Sequence, residues 1–241
     1  MTAAHDRTGA VAVVVPARDE EELLPRCLDA LDVALAGLRE TRPDVVARVF
    51  VVLDACTDGS PAVVRARPGV TALTTSDGCV GTARAAGVEA AAAWHAGCAR
   101  AAAGGDGPWV ACTDADSAVP PDWLTTQLDW ADEGVRMVVG TVVPRPGDLS
   151  ARALAGWHAR HSSADGHEHV HGANLGLTLG AYRRAGGFPP LALHEDVVLV
   201  QAVRDAGERW VATGAIPVET SGRRAGRAVG GFAAYVEELG A

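Results

Sequence analysis

Short runs of β-branched apolar residues alternate, through the first half of the chain, with stretches in which apolar residues recur every three or four positions. Residues 11–15 are Val except for Ala12 and stop at Pro16, the pattern of a buried parallel strand. Leu24, Cys27, Leu28, Leu31, Leu35 and Leu38 then fall at helical spacing, and the acidic residues 19–22 stand where a helix dipole favours them. Residues 49–53 form a second strand that stops at Asp54, after which residues 58–61 (Asp-Gly-Ser-Pro) supply a turn, a Ser cap and a Pro for the first helical position. A third strand is expected at 70–73, followed by an Ala-rich helix over 80–103 that Gly87 and Gly97 weaken. A fourth strand covers 109–113 and ends at Asp114, and Pro120 and Pro121 open a helix carrying Trp123, Leu124, Leu128 and Trp130.

Beyond Gly140 the pattern changes. A strand over 137–143 and a helix over 149–161 precede a His-rich, Gly-containing segment at 167–176. A helix over 196–206, short strands at 210–213 and 216–218, a basic Gly-rich loop at 221–231 and a last helix at 232–239 complete the reading. Strands alternating with helices predict an α/β chain with a mostly parallel central sheet, flanked by helices and joined by right-handed crossovers. Nothing in the pattern divides residues 1–241 into more than one domain. Ligands of such sheets sit outside the carboxyl ends of the strands. Those ends carry Pro16-Ala17-Arg18, Asp54 and Asp114-Ala115-Asp116, so acidic groups converge on one edge.

Composition narrows the partners. A net charge of −9 excludes an open nucleic-acid surface, which needs clustered Lys and Arg, though a cation or helix N-termini can still hold a phosphate. No apolar run approaches the ~20 residues that span a bilayer, and the polar first ten residues lack a signal-peptide core. Five cysteines without a Cys-x-x-Cys pair read as reduced, mostly buried thiols. The expected location is therefore the cytoplasm, with peripheral contact to a membrane left open.

Asp114 and Asp116 carry the most chemistry. Two carboxylates at i and i+2 after a buried strand suit a hard divalent cation, with coordination positions left for a diphosphate. Taken alone, such a triplet is more often a solvated turn. Its neighbours change that. The blocks PARDEE (16–21), VVLDACTDGS (51–60), GTARAAG (81–87), WVACTDADSAVPPDWL (109–124), HGANLGL (171–177), GGF (186–188) and HEDVVL (194–199) follow one another in an order that resembles the inverting family 2 glycosyltransferases of the Rossmann-like GT-A fold. The resemblance runs from about Val11 to the last helix.

The resemblance implies a single GT-A domain with a nucleotide-binding half at about 10–118 and a smaller acceptor-binding half at about 119–241. It implies that Pro16, Ala17, Arg18 and Glu20 line the nucleotide, that Asp54 binds the base, and that Gly81 and Arg84 border the nucleotide. The family often has Asn after that Arg, where Ala85 stands here. Asp114 and Ala115 would lie by the ribose, with Asp116, helped by Asp114, holding Mn²⁺ or Mg²⁺. Asp196 is implied as the base that deprotonates an acceptor hydroxyl, with Glu195 positioning the acceptor or orienting its neighbour. Gly172, Asn174 and His194 belong to the acceptor side, and His194 is a second base candidate ranked below Asp196. Arg223 and Arg224, in the chain's densest basic cluster, suit a departing diphosphate.

Each residue has a plainer reading. Asp19, Glu20, Glu195 and Asp196 could serve only as acids near a helix start, and Asp54 or Asn174 as turn residues. Gly81 could mark a loop bend, Arg84 a surface ion pair of little consequence, and Arg223 and Arg224 an exposed loop. The alternating His167, His169 and His171 would put three imidazoles on one strand face, which suits Zn²⁺, although a polar loop near the acceptor is the plainer view. The implied function is transfer of a sugar from a nucleotide-sugar, UDP-sugars being the family's commonest donors, to a small-molecule, glycan or lipid-linked hydroxyl. A GT-A-like nucleotidyltransferase and a non-catalytic nucleotide-sugar binding protein are the alternatives. A dehydrogenase is disfavoured, because no Gly-x-Gly-x-x-Gly follows the first strand.

Overall fold

The computed structural model describes residues 8–98, 105–161 and 164–222. In chain order the elements are β1 (Ala10–Ala17), α1 (Leu24–Thr41), β2 (Val46–Asp54), α2 (Ser60–Arg65), β3 (Val70–Thr75), α3 (Val80–Ala96), β4 (Trp109–Cys112), β5 (Ser117–Ala118), α4 (Trp123–Asp132), β6 (Met137–Pro144), α5 (Ala151–Arg160), β7 (Leu175–Thr178), α6 (Leu179–Arg184), α7 (Glu195–Asp205) and β8 (Trp210–Thr220). They build one sheet in the order β3-β2-β1-β4-β7-β6-β8-β5. Strands β3, β2, β1 and β4 run parallel, β7 is antiparallel to both of its neighbours, β8 returns parallel to β6, and β5 caps the edge antiparallel to β8. The mostly parallel sheet matches the expectation from the alternating pattern.

The period-2 geometry of β1 explains its continuous apolar run, because both faces are covered. Val11, Val13 and Val15 pack with Leu24, Leu28 and Leu31 of α1 and with Trp123 and Leu124 of α4. Val14 points the other way, into a cluster with Val88 of α3 and Leu199 and Val203 of α7. The helical spacing read for α1 is the buried face observed, from Leu24 to Leu38.

Several expectations need correcting. No acidic residue lies in the first turn of α1; residues 19–22 precede the helix. The Ala-rich helix stops at Ala96 with Gly97 as its cap, its N–H reaching the Ala93 carbonyl at 3.3 Å, and residues 99–104 lie outside the described residues. The two short strands at 210–213 and 216–218 are one strand, β8, whose pairing with β6 shifts register between Gly140 and Val142. Strand β7 and helix α6 have no counterpart in the sequence reading. Of the five unpaired cysteines, Cys27 and Cys112 are buried and the other three are only partly so. The expected loop beyond Gly222, with Arg223 and Arg224, and the last helix lie outside the described residues. No described helix is long and apolar enough to cross a membrane.

Candidate active site

The loop after β1 is tied to the loop after β2. Asp19, with a left-handed φ of 52°, accepts hydrogen bonds from the Thr57 N–H (2.6 Å) and hydroxyl (3.1 Å). The Thr57 backbone N–H is the main reason its carboxyl is held below the usual range. The Glu20 N–H donates to Ser60 Oγ (2.8 Å), the Glu21 N–H donates to Asp58 (2.9 Å), and Glu21 accepts from the Gly59 N–H (2.7 Å). The acids after Pro16 therefore join two loops instead of capping α1. Ala17 is buried, with its carbonyl 3.3 Å from Cys56 Sγ, while Pro16 is partly exposed. Arg18 is exposed and reaches across to the Gly78 carbonyl at 3.2 Å.

Asp54, 3% exposed, ends β2 and organises the next loop. It accepts from Thr75 Oγ1 (2.9 Å), Gly78 N–H (3.1 Å) and Cys79 N–H (2.7 Å). A carboxylate has about four acceptor positions, so three are already committed within the chain. Gly81 lies just inside α3, and its N–H bonds the Leu191 carbonyl at 3.0 Å. A Cβ there would stand 2.1 Å from the Pro189 carbonyl oxygen, so the residue is glycine because two backbones meet. What Gly81 borders is the loop before α7.

Arg84, one turn further along α3, is the hub of the site. It is 2% exposed, which rules out the surface ion pair considered from sequence. Its Nε donates to Glu195 (3.0 Å), Nη1 to the Gly172 carbonyl (2.8 Å) and Nη2 to Asp114 (2.6 Å). Burial opposes the charge, but Asp114 and Glu195 outweigh it and push the guanidinium's pKa above its ordinary value. Glu195 shows the opposite balance: burial raises its pKa, and Arg84 only partly offsets that.

Asp114 and Asp116 follow β4 as partly exposed residues, alternating with buried Ala115 and Ser117. Asp116 accepts from Ser117 Oγ at 3.3 Å and from Thr220 Oγ1 at 3.5 Å, which joins it to the end of β8. Beneath them, burial foremost and then both aspartates push the Cys27 thiol far above its usual range. On the far side of Arg84, Asp196 accepts from the Gly172 N–H (2.6 Å) and from its own helix at Val197 (2.8 Å). A Cβ on Gly172 would lie 2.4 Å from Arg84 Nη2, so a side chain at that position would displace the hub. His194 is exposed, with a left-handed φ of 64°, and turns the chain into α7.

The acceptor-side reading of Asn174 is corrected. Its side chain is 1% exposed with both N–H donors used: Oδ1 accepts from Trp123 Nε1 (2.9 Å), and Nδ2 donates to the Thr141 (2.8 Å) and Ile216 (2.7 Å) carbonyls. Those carbonyls sit at the register break between β6 and β8. Asn174 thus supplies the hydrogen bonds that the broken ladder leaves unmade.

The His167, His169 and His171 rings lie along one side of the chain, as the alternation predicts, with His167 and His169 6.0 Å apart between centroids, although residues 167–171 form no strand. The Trp157 and His161 rings lie 3.5 Å apart between centroids, His161 and His169 4.7 Å apart, and His169 and His171 6.3 Å apart. Burial and the neighbouring imidazoles lower the His171 pKa to about 3. Among the described residues, the cluster of three ligand atoms within 4.8 Å of one another is Asp19, Cys56 and Asp58. The imidazoles do not bring three ligand atoms that close together.

The site therefore joins Asp114, Gly172, Glu195 and Asp196 through one buried arginine, with Asp116 two residues from Asp114. Sequence reasoning missed the Arg84–Glu195 pair. The signal was present in an arginine flanked by Ala and Gly within a largely apolar helix, since a charge in such a run must either snorkel or find a buried partner. The architecture is a GT-A Rossmann-like fold. The model of glycosyl transferase family 2 matches residues 12–181, and the chain belongs to that family. No curated protein matches the sequence. Among solved structures, S. aureus TarS 1–349 is similar at 13% identity and a TM-score of 0.58, over 89% of this chain and 61% of that one. A mannosyltransferase, PcManGT of Pyrobaculum calidifontis, in complex with GDP-Man and Mn²⁺, is 23% identical at a TM-score of 0.57, over 92% and 59%. Glucosyl-3-phosphoglycerate synthase of Mycobacterium tuberculosis, with Mg²⁺ and UDP, is 16% identical at 0.54, over 89% and 70%. At these identities the likeness is one of fold. The chain spans 61% and 36% of the two TarS chains.

Proposed function

We propose that this chain transfers a sugar from a nucleoside-diphosphate sugar, with UDP-sugars first among the candidates, to an acceptor hydroxyl with inversion. The observation that carries the reading is the linkage of Asp114 to Glu195 through Arg84, with Asp196 fastened to the same Gly172 that Arg84 binds. A donor-side carboxylate and an acceptor-side carboxylate pair thereby belong to one cluster. Asp196 is partly exposed and is the base; Glu195, buried against Arg84, orients it. Arg18, Glu20 and Asp54 shape the nucleotide side by holding its loops, and His194 borders the acceptor.

The donor set at Asp114 and Asp116 fits Mn²⁺ or Mg²⁺. Both offer hard oxygens at partly exposed positions, and a magnesium-type ion is commonly held by one or two carboxylates together with substrate phosphates. Support also comes from the fold relatives crystallised with GDP-Man and Mn²⁺ or with UDP and Mg²⁺. Such an ion would neutralise the diphosphate charge as it leaves. Asp116 is its main ligand, because Asp114 already shares an oxygen with Arg84. Arg223 and Arg224 remain candidates for the departing diphosphate.

Calorimetry with UDP and GDP tests the donor side. Binding should be far tighter with Mn²⁺ than with chelator, and Asp116→Asn should remove the difference. A panel of nucleotide-sugars and acceptor hydroxyls, read by product mass, tests the reaction; Asp196→Asn should keep donor binding and lose transfer. Transfer of the nucleotidyl group, with release of a sugar 1-phosphate instead of a nucleoside diphosphate, would make the chain a nucleotidyltransferase.

A further inference from the structure

We infer that Arg84 is a positioning residue, not a nucleotide contact: it aims the acceptor-side carboxylates from the donor side through Gly172. This rests on the transferase reading above and specifies how its two halves are kept in register.

The guanidinium has five N–H donors in a fixed plane. Three of its nitrogens are already spent, on Glu195, Gly172 and Asp114, at 3.0, 2.8 and 2.6 Å. At 2% exposure, with the Phe188 ring centroid 5.8 Å from its Cζ, it has no face left for a nucleotide. Gly172 is held from both sides, its carbonyl by Arg84 and its N–H by Asp196 Oδ2 at 2.6 Å. A shift of the guanidinium therefore moves the residue that orients Asp196. Three elements meet at this point: α3 supplies Arg84, the end of β4 supplies Asp114, and α7 supplies Glu195 and Asp196. Lysine would keep the charge but, as a point donor, cannot match three partners lying in the plane of a fork.

Arg84→Lys and Gly172→Ala test the assignment in the full chain, with folding checked by thermal melting. The second variant keeps every charge and displaces Arg84 directly, since its Cβ would stand 2.4 Å from Nη2. Mn²⁺-dependent binding of UDP and GDP is measured by calorimetry, and kcat and KM with the donor–acceptor pair found by the panel. Misaiming a base by about 1 Å costs roughly 100-fold, so kcat should fall by about that factor in both variants. Nucleoside-diphosphate affinity should stay within about threefold, because Asp116 is untouched and Asp114, held less tightly by its cation, is no poorer a ligand for a metal. Weakened nucleotide binding with kcat preserved would overturn the assignment and make Arg84 a donor contact. So would kcat within about threefold of wild type in both variants. If Arg84→Lys fails to fold, Gly172→Ala decides by the same split. A wild-type chain that transfers no sugar overturns the transferase reading itself, which separates that failure from this one.

Discussion

Replacing Asn174 by Ala should destabilise the protein severely while leaving acceptor recognition alone. The amide links three elements. It accepts from the fully buried Trp123 of α4 and donates to the Thr141 carbonyl in β6 and the Ile216 carbonyl in β8. Truncation strands one donor and two acceptors in the core. A stranded buried group costs about 1–3 kcal/mol, and the two carbonyls fall toward the low end of that range because each has a second lone pair to use. The total is about 4 kcal/mol. For a chain of this size about 1 kcal/mol lowers Tm by about 2–4 °C, so the melting point should drop by roughly 10 °C. Urea unfolding of both proteins supplies the free energy, provided m is unchanged.

A double-mutant cycle sharpens the claim. Trp123→Phe removes the indole donor along with some ring volume, a cost the cycle subtracts, and its coupling to Asn174→Ala should be about 1 kcal/mol or more, as for residues in direct contact. At a temperature where the variant is fully folded, acceptor KM should match that of wild type. A variant that melts within 2 °C of wild type (about the effect of a surface change) yet raises acceptor KM tenfold would refute the reasoning. It would also return Asn174 to the acceptor pocket.

Gly81→Ala should cost about 3 kcal/mol or more, since the new Cβ meets immovable backbone at Pro189 and Leu191, whereas Gly69→Ala, with nothing within 4 Å, should be close to neutral by thermal melting. The His171 imidazole, lowered by burial to about 3, predicts a pH dependence of stability. Its folded pKa lies below the unfolded value near 6.5, so the unfolded chain binds the proton first as pH falls. Stability is whole above about 6.5 and declines toward 3, by up to about 1.4 kcal/mol per pH unit. Urea unfolding across that window should show the slope, and His171→Gln should flatten it.

Most strands that could be read from sequence have apolar runs that end at a charge or a proline: β1 at Pro16, β2 at Asp54, β4 before Asp114 and β6 at Pro144, while β3 was read from its apolar run alone. Burial on both faces leaves such runs continuous, and the following residue has to carry the polarity of the sheet edge. Strand β7 escaped because Leu-Gly-Leu-Thr is short and its glycine dilutes the signal. Strand β8 was split at Gly214, a residue that punctuates most strands. Here the strand continues because the pairing slips at that point and Asn174, far away in sequence, takes the freed carbonyl. Compensation by a distant side chain leaves no local trace.

The site divides the same way. Motif order brought Asp114, Gly172, Glu195 and Asp196 forward as separate candidates, and position along the chain was enough for that. Their partners were not legible, because the bonds span between 24 and 111 residues. Asn174 shows the consequence: a polar residue in a motif reads as ligand-facing until its hydrogen bonds are counted.

That count bears on why a cation belongs in the proposed reaction. Asp114, Asp116, Glu195 and Asp196 are four acids, and the cluster sets one buried guanidinium among them. Arg84 spends its charge inward, on Asp114 and Glu195, where water screens least. Toward solvent the edge stays acidic, in a chain already at −9. A donor diphosphate approaching such an edge meets like charge, and a focused field of one sign repels it as strongly as it would attract the other. On the proposed reading, the exposed carboxylates of Asp114 and Asp116 need a divalent ion before they can face a phosphate. On that same reading, the inward spending of Arg84's charge would make donor binding depend on that ion.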